Sequence, residues 1–128
     1  MAGEIYKILI FLKRRPGMSR EDFQTYYETQ HAPLCLKYTP PGVSRYFRRY
    51  VQPMTDPATG EPIEMDFDVV TELWFHDKAA YEGALHYAGR GILPQDVIED
   101  EEKLFDRPKA RFTTIVERET DLVAAGIA

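Results

Sequence analysis

The segment Ile5–Leu12, with the sequence IYKILIFL, constrains the fold of this chain more than any other segment does. Its β-branched and aromatic residues end at a Lys-Arg-Arg-Pro-Gly turn, which predicts a β-strand followed by a reversal of the chain. Such a strand would be apolar on both faces. Because an apolar face must be shielded from water, we expect both sides of the sheet to be covered around this strand.

A helix is predicted after this strand. Ser19 can cap its start, and apolar or aromatic residues then recur at helical spacing from Phe23 to Leu34. Pro33 lies inside this pattern. Because a proline removes one backbone hydrogen bond of a helix, we expect a kink or a tightening near His31–Ala32.

The remaining sequence alternates between strand, loop and helix patterns. Further strands are predicted at Val43–Val51, Phe67–Phe75 and Ala110–Glu117, helices at Lys78–Ala88 and at about 95–104, a loop at 52–66 and a tail at 120–128. Asp77 and Asp96 are the expected caps of the two later helices. The order predicts a ferredoxin-like βαββαβ fold of the α+β class, with helices on one face of a four-stranded antiparallel sheet. The length suits one domain, so we expect residues 1–128 to form it.

Helices on one face leave the second face of this sheet open. The first strand is apolar on that face too, and the third strand adds Val70 and Trp74. A bare apolar surface of this size is unusual on a monomer. We therefore expect a homodimer in which two copies pack sheet to sheet.

The overall charge and the single cysteine limit the classes of partner. The chain has a formal net charge of −5, with 21 acidic and 16 basic residues, whereas nucleic-acid-binding domains carry a basic surface. No apolar run approaches the roughly 20 residues of a membrane span, and no signal segment is apparent. Cys35 is the only cysteine, which suits a reducing compartment. We expect a cytoplasmic protein that binds neither nucleic acid nor membranes.

His31 is the main candidate for chemistry. Histidine titrates near neutral pH, and Tyr27 lies one helical turn earlier on the same side, among apolar residues. An imidazole and a phenol that face one cavity can remove a proton from a carbon acid and return it elsewhere. The alternative is a core or helix-end histidine bonded to a backbone carbonyl.

Asp68 is the second candidate catalytic residue. It shares one face of a predicted strand with Val70, Glu72 and Trp74, a mixture that suits a pocket wall better than a surface turned to water. If Asp68 lies near His31, its carboxylate can orient the imidazole and fix its tautomer. Asp68 is equally suited to hold the preceding loop.

Several other side chains are candidates for binding a ligand, namely Tyr6, Tyr46, Glu72, Trp74 and His86. Each has a structural alternative. Buried tyrosines often bond to the backbone. Glu72 is favoured to pair with an arginine of the neighbouring strand, Arg45 or Arg48. Trp74 also suits a core or a dimer interface, and His86 is expected to be mostly exposed.

The sequence offers no pattern for a cofactor. The three histidines are scattered and form no pair with metal-ligand spacing, so we expect no metal. No glycine-rich phosphate loop or dinucleotide fingerprint is present. Cys35 lies one turn after His31, where it is either a nucleophile beside a base or, as we favour, a packed and inert thiol.

Three stretches, FLKRRPGMSREDFQTYYETQHAPL, FDVVTELWF and LFDRPKARFTTIVERE, together resemble the EthD domain family of the dimeric α/β-barrel superfamily. The resemblance runs from about Ile5 to Glu119, and the helix that ends in His-Ala-Pro-Leu is its most specific part. It implies a ferredoxin-like protomer, a two-chain barrel and a cavity between sheet and helices. Asp68 resembles the aspartate of the family's Phe/Tyr-Asp strand, whereas Tyr27 stands where the family often carries tryptophan.

The resemblance also limits the range of activities that we expect. Some EthD proteins look like accessory proteins of ether degradation, and others, mainly fungal, are similar to dehydratases or decarboxylases of aromatic polyketides. We therefore expect a cofactor-independent enzyme that dehydrates, isomerises, cyclises or cleaves a small aromatic or polyketide-like oxygenated metabolite, with His31 as general acid or base. The alternatives are a non-catalytic accessory or carrier protein and a cofactor-free monooxygenase.

Overall fold

The computed structural model describes residues 3–128 of the chain. Its strands are β1 (Tyr6–Leu12), β2 (Val43–Tyr50), β3 (Val69–Phe75) and β4 (Arg111–Thr114). Its α-helices are α1 (Arg20–Tyr26), α2 (Ala32–Leu36), α3 (Lys78–Tyr87) and α4 (Gln95–Glu101), with a π-helical segment at Tyr27–His31 and 3₁₀ turns at Ala88–Arg90 and Arg107–Lys109.

The four strands form one antiparallel sheet in the order β2-β3-β1-β4. Tyr6 lies opposite Phe75 of β3 and Ile8 lies opposite Thr114 of β4, so the apolar first strand lies in the interior of the sheet. This strand order and the alternation of strands with helices are ferredoxin-like, which confirms the predicted fold class. The last strand is shorter than predicted and ends at Thr114.

The first helical region departs from an ideal helix where Pro33 interrupts its hydrogen bonds. Ser19 caps α1 as predicted and accepts a bond from the backbone N–H of Asp22. The N–H of Ala32 then bonds to the carbonyl of Tyr27, five residues earlier. The helix therefore widens into a π segment, and the predicted kink or tightening is corrected to a widening.

The two later helices begin at different kinds of residue. Asp77 caps α3 as predicted, since its carboxylate accepts bonds from the backbone N–H groups of Ala79 and Ala80. The predicted cap Asp96 is wrong, because α4 begins at Gln95, after Pro94, and Asp96 lies inside its first turn. The carboxylate of Asp96 instead accepts a bond from the hydroxyl of Tyr38.

The hydrophobic core lies between the sheet, α1 and the π segment. Its buried members are Leu12, Phe23, Tyr27, Ala32, Val69, Leu104 and Phe105. By contrast, none of the residues of α3 is buried. Part of this helix is separated from the sheet by a hollow. No helix within residues 3–128 combines the length and apolar character needed to cross a bilayer.

A candidate acid–base site in an apolar cavity

A cavity of about 550 Å³ lies between the helices and the helix-covered face of the sheet. This volume is typical of pockets that bind small organic molecules. Most of its wall is apolar. Its polar side chains are Tyr27, His31, Cys35, Tyr38, Thr39, Tyr46, Thr71, Tyr87 and Glu101.

His31 lies on this wall and is bonded to an aspartate that sequence reasoning did not identify. Its Nδ1 lies 2.8 Å from Oδ2 of Asp100, and the two residues are only 3% and 8% exposed. A carboxylate can only accept here, so the ring carries its proton on Nδ1 and donates it to Asp100. The other ring nitrogen, Nε2, is left unprotonated, and it lies 3.4 Å from Sγ of Cys35 on the cavity wall.

Asp100 is fixed by a second donor. The hydroxyl of Tyr26 donates to Oδ1 at 2.5 Å, so each carboxylate oxygen has one partner. Burial, together with this bond to the carboxylate, raises the pKa of Tyr26 to about 12, so the phenol keeps its proton at neutral pH. Tyr26 and Asp100 thereby hold the imidazole of His31 in one orientation.

The surroundings of His31 favour its neutral form. Burial lowers the pKa of His31, and the hydrogen bond and negative charge of Asp100 oppose that shift. The rings of Tyr27 and Phe105 lie with their centroids 5.3 Å from the imidazole, both edge to face. A neutral imidazole near neutral pH is able to act as a general base.

Two phenols line the cavity near this base. The hydroxyl of Tyr27 lies 2.7 Å from Oγ1 of Thr71, and the hydroxyl of Tyr46 donates to that of Tyr27 at 3.3 Å. Burial raises the pKa of Tyr46 to about 12 and that of Tyr27 well above its usual range. Both phenols therefore remain protonated, and the hydroxyl of Tyr46, whose bond to Tyr27 is long, can rotate to donate its proton to an oxygen of a ligand.

The thiol of Cys35 is also part of the wall. Burial raises the pKa of Cys35 to about 12, and nearby carboxylates, among them Glu101 and Asp100, add to that shift. The thiol is therefore protonated, and it lacks the thiolate character that marks a reactive cysteine.

Asp68, the second candidate catalytic residue, lies outside the cavity and away from His31, a contact that the sequence left open. Its carboxylate accepts a bond from the backbone N–H of Arg14 at 2.9 Å and pairs with the guanidinium of the same residue. Lys13 lies 3.5 Å away. Asp68 thus links the end of β1 to the start of β3, which is the structural role that the sequence offered as the alternative to catalysis. The carboxylate beside the imidazole is that of Asp100.

The predicted pocket wall of β3 is also corrected, because the cavity lies on the opposite face of this strand. Thr71, Leu73 and Phe75 line the cavity. Glu72 and Trp74 lie on the open face, where the indole Nε1 donates to the carboxylate. The arginine that approaches Glu72 is Arg49, at 3.4 Å, and not one of the two predicted.

Tyr6 and His86 do not line the cavity either. Tyr6 stacks on Tyr81 with ring centroids 5.1 Å apart. His86 is exposed and packs edge to face against Tyr87. Of the predicted ligand-binding residues, the structure thus brings Tyr27 and Tyr46 to the cavity of His31. Within residues 3–128, no three His, Cys, Asp or Glu side chains are grouped so that they could hold a metal ion.

Comparison with known proteins gives one family and a common fold. The EthD domain model matches residues 15–108 of the chain. No curated protein matches its sequence significantly. Among solved structures, an EthD-like protein from Ralstonia eutropha JMP134 aligns over 91% of this chain and 96% of its own, with a TM-score of 0.54 and 15% identity.

Two further structures show the same fold. A hypothetical protein from Arabidopsis thaliana aligns over 94% of this chain and 95% of its own, with a TM-score of 0.56 and 12% identity. An EthD family protein from Bacillus halodurans C-125 aligns over 90% of this chain and 99% of its own, with a TM-score of 0.50 and 20% identity. At these identities the likeness concerns the fold.

Proposed function

The chain belongs to the EthD domain family, and from this premise we propose that it is a cofactor-independent enzyme that moves a proton on a small aromatic or polyketide-like oxygenated metabolite. His31 is its general acid and base. The reaction class is dehydration, isomerisation, cyclisation or carbon–carbon cleavage, all of which pass through an enolate or phenolate.

The observation that carries this proposal is the bond from Nδ1 of His31 to Asp100, which leaves Nε2 as the basic nitrogen on the wall of an apolar cavity. A carboxylate behind a neutral imidazole stabilises the imidazolium that forms when Nε2 takes a proton. His31 and Asp100 are both buried, so this charge interaction is stronger there than in solution.

The proton transfer requires only groups on this wall. Nε2 of His31 removes a proton from a carbon next to a carbonyl group of the ligand, and the electron pair of that C–H bond moves to the carbonyl oxygen. The hydroxyl of Tyr46 turns away from Tyr27 and donates a hydrogen bond to this oxygen. Return of the proton to another carbon isomerises the ligand, and its transfer to a departing hydroxyl group releases water.

Hydrogen–deuterium exchange at such a carbon tests the proposal without knowledge of the natural substrate. The probe is 2-tetralone, a neutral bicyclic ketone, in deuterated buffer with NMR detection. We expect the chain to accelerate exchange next to the carbonyl group. His31→Gln should lower the catalysed rate by about 100-fold or more, because a positioned general base contributes that much or more.

The matched control is His86→Gln, which removes an exposed imidazole outside the cavity and should leave the rate unchanged. Exchange that persists in folded His31→Gln would rule out the proposed base. Tight binding of 2-tetralone to the wild-type chain without exchange would instead favour the carrier protein, and oxygen consumption with a phenolic ligand would favour the monooxygenase.

A further inference from the structure

Glu101 is a cavity residue that the proton transfer at His31 does not use. Its side chain is 14% exposed and lies at the end of α4, on the wall of the cavity and next to Asp100. Its Oε1 lies 3.4 Å from Nε of Arg107. Arg107 also approaches Glu102 at 4.0 Å, so its charge is shared between two carboxylates.

A smaller hollow of about 190 Å³ adjoins the cavity at this residue. The walls that both hollows share are Leu12, Ala88, Leu93, Glu101, Phe105 and Phe112. Arg107 lines the smaller hollow and not the cavity. Glu101 is therefore the one acidic side chain on the cavity wall, and its partner Arg107 lies behind it in the smaller hollow.

The charge on the cavity wall has one sign. Among the described residues that line it, no lysine or arginine is present, and Glu101 is the only acidic side chain. Burial raises the pKa of Glu101, and Arg107 opposes that shift. A ligand carboxylate in this cavity would lose its hydration next to another carboxylate, and the nearby guanidinium of Arg107 is already paired with Glu101 and Glu102, so its burial is costly. A ligand hydroxyl could instead donate a hydrogen bond to Glu101.

We propose that Glu101 determines ligand specificity: it accepts a hydrogen bond from a hydroxyl group of a neutral aromatic ligand and excludes ligands that carry a carboxylate. This inference rests on the proposed function for the size and apolar character of the ligand. It adds that the ligand is uncharged and that Glu101 recognises its hydroxyl group.

Three naphthalenes of similar shape separate these effects: 2-naphthol, its methyl ether 2-methoxynaphthalene, and 2-naphthoate. Their affinities are measured by titration calorimetry at neutral pH. We expect 2-naphthol to bind about tenfold or more tightly than either other probe, since a charge-assisted hydrogen bond supplies a difference of that order. Glu101→Gln should bring the affinities for 2-naphthol and 2-naphthoate within about threefold of each other.

The matched control is Glu99→Gln, which removes an exposed carboxylate of the same helix that neither lines the cavity nor contacts Arg107. It should leave the ratio of affinities unchanged. Equal binding of 2-naphthol and 2-naphthoate by the wild-type chain overturns the inference, as does no binding of 2-naphthol or an unchanged ratio in folded Glu101→Gln. The comparison of 2-naphthol with 2-naphthoate on the wild-type chain tests the inference even if Glu101→Gln does not fold.

The two proposals fail in different ways. A chain that exchanges 2-tetralone but does not discriminate among the naphthalenes retains the proposed function and loses the specificity role of Glu101. A chain that discriminates among them but exchanges no ketone retains the role of Glu101 and loses the catalytic role of His31.

Discussion

At the scale of the residue, two buried aspartates of this chain differ in what they contact. Asp68 is 4% exposed and pairs with the guanidinium of Arg14. Asp100 is 8% exposed and contacts an imidazole that titrates. Burial of a carboxylate therefore does not by itself indicate catalysis. The contact with a titrating group on a cavity wall distinguishes Asp100.

The pH dependence of exchange should report this contact. The pKa of His31 lies below the unperturbed value of 6.5, because burial disfavours the imidazolium. The rate should therefore hold at neutral pH and fall only when the pH drops through this lowered pKa. Asp100→Asn removes the charge that opposes the shift, so the fall should move to still lower pH. The maximal rate should drop by about tenfold or more, because an amide does not fix the tautomer.

The control for this pH profile is Asp68→Asn, which removes a carboxylate of similar burial outside the cavity. Its profile should match that of the wild-type chain, although its free energy of unfolding should decrease. A movement of the Asp100→Asn profile to higher pH would contradict the arrangement described here.

At the scale of the element, the π segment Tyr27–His31 positions the site. An α-helix advances by about 100° per residue, so one extra residue in a turn changes which side chains face inward. In this chain both Tyr27 and His31 are buried, at 2% and 3% exposure. Pro33 lacks the N–H that would bond to the carbonyl of Thr29 in a regular helix.

Pro33→Ala restores that donor and should favour a regular α-helix through this region. The imidazole of His31 would then rotate relative to Asp100. We expect the exchange rate to fall by about tenfold or more, since small displacements of a catalytic group have effects of this size. The ¹⁵N signals of the His31 ring should also lose the pattern of one fixed tautomer, a change that a general loss of stability would not cause.

The matched control is Pro57→Ala, the same substitution in the exposed loop between β2 and β3. It should alter neither the rate nor the ring signals. Unchanged signals in Pro33→Ala would mean that packing of Tyr27 and His31, rather than the proline, maintains the π segment.

The elements themselves were largely predictable from the sequence, because their signals are local. The caps Ser19 and Asp77 and the apolar strand β1 each follow from neighbouring residues. Two features were not predictable: the partner of His31, and the face of β3 that lines the cavity. Both depend on contacts between distant parts of the chain. His31 and Asp100 are 69 residues apart in the chain. Several acidic residues surround Asp100 in the sequence, and only the packing of α4 on the π segment distinguishes it.

The face of β3 that lines the cavity was ambiguous for a related reason. Alternation separates the two faces of a strand but does not state which face the helices cover. Both faces of β3 carry apolar residues, with Leu73 on one and Trp74 on the other. The face of β3 that lines the cavity is the one that the helices cover. Which face they cover is a property of the whole fold and not of this strand.

At the scale of the whole molecule, the two faces of the sheet differ in kind. One face encloses the cavity. The other carries aromatic rings with basic side chains stacked on them: Arg49 lies 4.4 Å from the ring centroid of Phe47, and Lys7 lies 4.3 Å from that of Trp74. These rings are half-buried within a single chain. A second copy packed on this face would complete their burial, which is why we propose a homodimer.

Sedimentation velocity tests this assembly. The wild-type chain should sediment with twice the 14.8 kDa mass of one chain. Phe47→Glu should shift it to the monomer, because two-fold symmetry would bury two new carboxylates at the interface. Its fold should survive, since the new carboxylate can pair with Arg49 in a free monomer. Met54→Glu makes the same exchange at an 83% exposed loop residue and should leave the dimer intact. A monomeric wild-type chain, or a dimer that persists in Phe47→Glu, would exclude the sheet-to-sheet arrangement.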